Sequence, residues 1–139
     1  MPGVLSYFVH KLLRARHWQP RPQFNEVCAW WRSGGQGVCS LIGIGGAGKT
    51  AIADRFLQTL PEVLPDNPDV PKDKSLPLPE SVFVFSFYAS PNPEDFFNKL
   101  NEWLEFVNPT VSVAEISETG QISYHQIVMR LQDAPPSLL

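Results

Sequence analysis

Eight consecutive residues hold most of the chemistry this chain could do: Gly43-Ile44-Gly45-Gly46-Ala47-Gly48-Lys49-Thr50. They satisfy G-x-x-x-x-G-K-[ST], the Walker A pattern, at every fixed position. The spacing has a physical reason. A polyphosphate is wrapped by backbone N–H groups, and glycine permits the positive φ angles and the close approach that such wrapping needs. A helix beginning at Lys49 would add its positive end to the same anion site. Lys49 is the point charge for the β- and γ-phosphates, and the Thr50 hydroxyl is the donor for a bridging Mg²⁺. The expected ligand is ATP or ADP with Mg²⁺.

The elements that must position this loop are legible on both sides of it. Val38–Ile42 is a short apolar run bounded by glycines and reads as a buried parallel strand. Lys49–Leu60 has helical periodicity through Ile52, Ala53, Phe56, Leu57 and Leu60, and Pro61 stops it. Upstream, Gln23–Arg32 reads as an amphipathic helix with Phe24, Val27 and Trp31 on one face, ended by Ser33-Gly34-Gly35. Residues 61–80 contain six prolines, which excludes regular structure and predicts either a functional surface loop or a mobile connection. Val82–Tyr88 reads as a strand buried on both faces.

Asn92-Pro93-Glu94-Asp95 opens a further helix, with a capping residue, proline at the first position and acids at the positive end of the dipole. Its stripe is Phe96, Phe97, Leu100, Trp103, Leu104 and Val107. Ser123-x-x-Gln126 has the form of a capping box for a helix to about Gln132. Ser137-Leu138-Leu139 reads as the first step of another strand. Alternating strands and helices imply an α/β fold with a mainly parallel sheet.

Composition narrows the function classes. The 139 residues include 11 basic and 14 acidic side chains, a net charge of −3, so there is no general basic footprint for nucleic acid. The charge is uneven, because residues 1–32 carry Lys11, Arg14, Arg16, Arg21 and Arg32 against the single acid Glu26. Lys11, Arg14 and Arg16 read as a solvated face. Cys28 and Cys39 are too few for a disulfide framework and read as ordinary buried thiols of a reducing compartment. No apolar run has the ~20 residues needed to cross a bilayer, and no signal-peptide pattern opens the chain, so the expected location is cytoplasmic. His10, His17 and His125 are scattered, with no acid or cysteine at ligand spacing, so no metal site is expected of them. Trp30 and Trp31 suit core packing better than stacking on a base.

A working NTPase also needs an acid, usually closing an apolar strand, to hold Mg²⁺. Val82–Tyr88 ends in Ala-Ser-Pro, and the run from Ile127 to Asp133 is helical in character. The strand opening at Ser137 is where the acid is expected, and the 139 residues end before it. No catalytic residue is assigned.

The narrower form of the loop, GxGGxGKT, resembles that of the STAND class of signal-transducing P-loop NTPases, which includes NB-ARC and NACHT domains. Three segments carry the resemblance: Arg21-Pro22-x-Phe24 with Trp30-Trp31, GVCSLIGIGGAGKTAIADRFL, and VFVFSFYASPNPEDFFNKLNEWL. It implies a P-loop three-layer sandwich, with residues 1–20 an N-terminal segment or linker. Residues 21–139 would then be the N-terminal part of the nucleotide-binding domain. It further implies a nucleotide-dependent switch within a larger protein bearing effector and sensor domains, and nucleotide-dependent homo-oligomerisation. Arg21 is the candidate on the adenine side, although Pro20-Arg21-Pro22 stands where the family has a Gly-Arg pair. Two other readings remain open: a small P-loop phosphotransferase, and a non-catalytic interaction fragment whose phosphate loop is vestigial.

Overall fold

A computed structural model describes residues 4–12, 14, 16–35, 37–107 and 137–138. The described elements are β1 (Leu5–Phe8), α1 (Pro22–Arg32), α2 (Lys49–Thr59), β2 (Ser81–Val84), α3 (Pro93–Val107) and β3 (Ser137–Leu138). They fall into two compact units, one built on Leu12–Leu78 and the other on Val4–Lys11 with the chain from Pro79 onward.

The first unit holds α1 and α2. Pro22 opens α1, where its missing N–H costs nothing, and the N–H groups of Ser33, Gly34 and Gly35 close it on the carbonyls of Ala29, Trp31 and Trp30. Val27, Cys28 and Trp31 are buried, while Phe24 is half-buried with its ring edge-on to Trp18. Trp31 packs edge-on to Phe56 of α2, and its indole N–H donates to the Pro77 carbonyl at 2.6 Å. In α2 the expected apolar face is buried at Ile52, Phe56 and Leu57, with Leu60 following.

The proline-rich connection is packed against the helices of this unit. Val63, Val70 and Leu76 are buried in it, and polar groups tie it to the helices. Lys72 Nζ donates to the carbonyls of Leu60 and Leu64, and Asp73 N–H donates to that of Thr59. Arg32 meets the Asp73 carboxylate at 3.1 Å. Proline excludes regular structure without preventing apolar anchors from packing.

The second unit contains a three-stranded sheet in the order β1-β2-β3, with both pairings parallel. Leu5 pairs with Ser81 and Phe8 with Val84, while Ser81 and Val82 pair with Ser137 and Leu138. Phe83, Leu100, Trp103 and Leu104 form the core between β2 and α3, with Phe85, Phe96, Phe97 and Val107 against it. The Asn92 side-chain oxygen accepts from Glu94 N–H at 3.0 Å, as a helix-capping residue does.

Two expectations about strands are corrected, and one strand is added. Val38–Ile42 is not a strand: it is irregular, with Val38 89% and Ile42 93% exposed. β-propensity supplies the capacity to pair, but none of the described strands takes this run as a neighbour. The strand expected to reach Tyr88 stops at Val84. Its neighbour β1 ends at Phe8, His10 Nδ1 accepts the Ser86 N–H at 3.1 Å, and a turn closes from Ser90 N–H to the Ser86 carbonyl. Phe87 and Tyr88 are consequently exposed. Within residues 1–20, to which no element was assigned, Leu5–Phe8 is a strand. The helix expected over 123–132 lies outside the described residues.

Candidate phosphate-binding site

The loop from Gly43 to Thr50 joins an exposed, irregular entry to the N-terminus of α2. A turn is closed by Ala47 N–H on the Ile44 carbonyl at 3.2 Å. Gly48 then takes φ +84°, ψ 18°, a left-handed conformation that an L side chain adopts only at a cost, and becomes the N-cap of α2. Having no side chain, it supplies no capping acceptor. The first bond closing the helix runs from Ile52 N–H to the Gly48 carbonyl, so the N–H groups of the first turn have no helical partner. Those donors and the helix dipole favour an anion at this point.

Lys49 folds back across the loop. Its ammonium donates to the Gly43 carbonyl at 2.6 Å and to the Ile44 carbonyl at 2.9 Å. The cation is therefore held over the turn by neutral acceptors, which an anionic ligand would outbid. Thr50 is exposed, and among the described residues its hydroxyl has no protein partner. Gly45 has open space where a Cβ would point, whereas Ile44 is exposed and Ala47 sits 3.2 Å from the Cβ position of Gly43.

A cavity of about 380 Å³ lies beside the loop, lined among others by Arg21, Glu26, Cys39, Ala47, Lys49 and Ile52. Arg21 is the N-cap residue of α1, and its guanidinium atoms lie 3.7–3.8 Å from the Cβ position of Gly48. The structure thus brings Arg21 to the end of the phosphate loop. Glu26 and Cys39 join the lining with no signal in the sequence order to mark them. Cys39 is exposed, which corrects the expectation of two buried thiols, while Cys28 is buried and burial pushes its thiol pKa up.

A larger cavity of about 920 Å³ in the same unit is lined by Trp18, Ala51, Asp54, Arg55 and Gln58, among others. The Arg55 guanidinium lies 5.1 Å over the Trp18 ring, and Gln58 Nε2 donates to Asp54 Oδ2 at 2.5 Å. Arg14 stands 3.9 Å from the same carboxylate. Desolvation raises the Asp54 pKa against the lowering effect of Gln58 and the two arginines. Trp31 is a core residue, and His10 serves the backbone of Ser86, edge-on to Phe85. His125 lies outside the described residues.

Among the described residues no helix is long and apolar enough to cross a membrane. No protein-family model, curated protein or solved structure matches the chain.

Proposed function

We propose that the chain binds ATP or ADP through Gly43–Thr50 and belongs to the N-terminal part of a signal-transducing regulatory ATPase switch of the P-loop sandwich type. One observation carries the reading. The Lys49 ammonium is drawn over the loop by two of the loop's own carbonyls, beside a helix N-terminus whose donors have no cap. A phosphate oxygen carries a charge that the Gly43 and Ile44 carbonyls lack, so the ammonium gains an ion pair as well as a hydrogen bond in exchanging one for the other. Bound nucleotide would take the Lys49 ammonium from Gly43 and Ile44 and engage the first-turn N–H groups. Mg²⁺, when bound, would neutralise charge between the β- and γ-phosphates, and the exposed Thr50 hydroxyl is the donor for it here. The effector and sensor domains, the nucleotide-dependent homo-oligomer and the cytoplasmic setting belong to this proposal through the STAND-like loop.

A second reading, an interaction fragment with a vestigial loop, draws on the exposure of Val38, Ile42 and Ile44, which leaves the loop without a strand behind it. Titrating a fluorescent ADP analogue against the chain and its Lys49→Ala variant separates the two. The nucleotide reading expects saturable binding that Lys49→Ala removes. A parent chain with no saturable binding refutes it.

A further inference from the structure

We infer that Arg21 is a second cation of the phosphate pocket, acting on the phosphates and not on the base. This rests on the nucleotide-binding reading and departs from the adenine-side role that the family resemblance implies for the residue.

Arg21 is held by its neighbours in sequence. A residue before proline is driven out of the helical region into extended backbone, and Arg21, followed by Pro22, has φ −134° and ψ 141°. Its carbonyl accepts Phe24 N–H at 3.1 Å, which fixes it at the start of α1. From there the side chain reaches the end of the phosphate loop. Its Cζ, Nη2 and Nε stand 3.7, 3.7 and 3.8 Å from the Cβ position of Gly48, the residue that caps α2.

The charge is uncommitted. Among the described residues Arg14, Arg32 and Lys99 are the cations in ion pairs, Arg55 lies over Trp18, and Arg21 has no carboxylate partner. Two cations, Arg21 and Lys49, and one acid, Glu26, line the cavity beside the loop. A guanidinium facing a helix N-terminus is repelled by that end of the dipole. An anion between them removes the repulsion and accepts from both, and a guanidinium can hold two oxygens of one phosphate. The chemistry recognised is a di- or triphosphate group.

The test is isothermal titration of the full chain with inorganic tripolyphosphate, pyrophosphate, ADP and adenosine, using Arg21→Gln, Arg21→Lys and Lys49→Ala. Arg21→Gln keeps the polar stem, and circular dichroism checks that each variant folds. The expected result is that Arg21→Gln weakens tripolyphosphate and ADP alike by about tenfold, as loss of one charge-assisted contact does. Arg21→Lys should restore part of that loss. If Arg21→Gln weakens ADP but leaves both inorganic polyphosphates unchanged, Arg21 belongs to the base and the inference is overturned. It is also overturned if Lys49→Ala abolishes binding while Arg21→Gln changes nothing, an outcome that leaves the nucleotide reading intact. A parent chain that binds none of the phosphate ligands overturns both.

Discussion

Three glycines in the first unit should respond to alanine in a fixed order, because the structure gives each a different combination of backbone angle and space. At Gly45 φ is not positive and an added Cβ meets nothing within 4 Å. Alanine there costs no strain and narrows the unfolded ensemble, so the variant should match the parent or gain up to about 0.5 kcal/mol. At Gly48 φ is +84°, and the new Cβ would touch the Arg21 guanidinium at an ordinary 3.7 Å. The left-handed conformation costs an L residue about 1–2 kcal/mol, offset in part by the unfolded-state gain, which leaves a loss of about 1 kcal/mol. At Gly35 φ is +58°, and the Cβ would lie 2.3 Å and 2.5 Å from ring atoms of Trp31. That indole is 6% exposed and donates to Pro77, so it cannot swing away freely. Backbone strain, overpacking of about 1–3 kcal/mol and the weakened hydrogen bond together should cost about 3 kcal/mol or more. Urea unfolding followed by tryptophan fluorescence reads the series. With a slope of about 2 kcal/mol per molar urea, Gly48→Ala should lower the midpoint by about 0.5 M and Gly35→Ala by about 1.5 M. Gly35→Ala unfolding at the same urea concentration as Gly45→Ala would refute the placement of Trp31 against the end of α1.

Further outcomes follow from burial and charge. Burial raises the Asp54 pKa above the ordinary carboxylate value, so the stability this group contributes is full below that ordinary value and falls as pH rises through the folded one. Asp54→Asn, which keeps an oxygen for Gln58, should therefore be more stable than the parent at pH 7, with the difference closing towards about pH 3 in urea titrations. Iodoacetamide at pH 8 should alkylate exposed Cys39 at least about tenfold faster than buried Cys28, whose thiol is held protonated by burial, as followed by peptide mass spectrometry. Equal rates would contradict the burial of Cys28. Amide exchange should leave residues 38–42 unprotected while Ile52–Thr59 are slow; protection of 38–42 equal to that of β2 would restore the strand first expected there.

The turn and left-handed cap within Gly43–Thr50 and the three described helices were legible because their determinants are local. Gly48-Lys49-Thr50 specifies a cap, a charge and a hydroxyl within three positions, and Pro22, Asn92 and Pro93 mark helix starts by their own stereochemistry. A helix also carries its backbone partners inside itself, so a period of 3.6 residues is enough to place Ile52, Phe56 and Leu100 in a core. Arg21 was marked as an adenine-side candidate by the family resemblance alone, and not by its place beside the loop. Its distance to Gly48 depends on how α1 and α2 pack, and the order of residues does not encode that.

Strands are satisfied only by other strands, and there the reading failed in both directions. Leu5–Phe8 has four residues and no turn signal, and it becomes a strand through pairing with Ser81–Val84, some 76 positions away. Val38–Ile42 has the better strand composition, yet it remains irregular because none of the described strands pairs with it. Its exposure is unfavourable, since covering an aliphatic side chain of this size yields about 1.5–3 kcal/mol, and Val38, Ile42 and Ile44 are all open to water. The turn at Ile44–Ala47, the left-handed Gly48 and the start of α2 nevertheless form without that cover. The anion-favouring geometry therefore comes from the helix side of the loop. A strand behind it would add rigidity at Gly43, while the unpaired first-turn N–H groups are already set by α2.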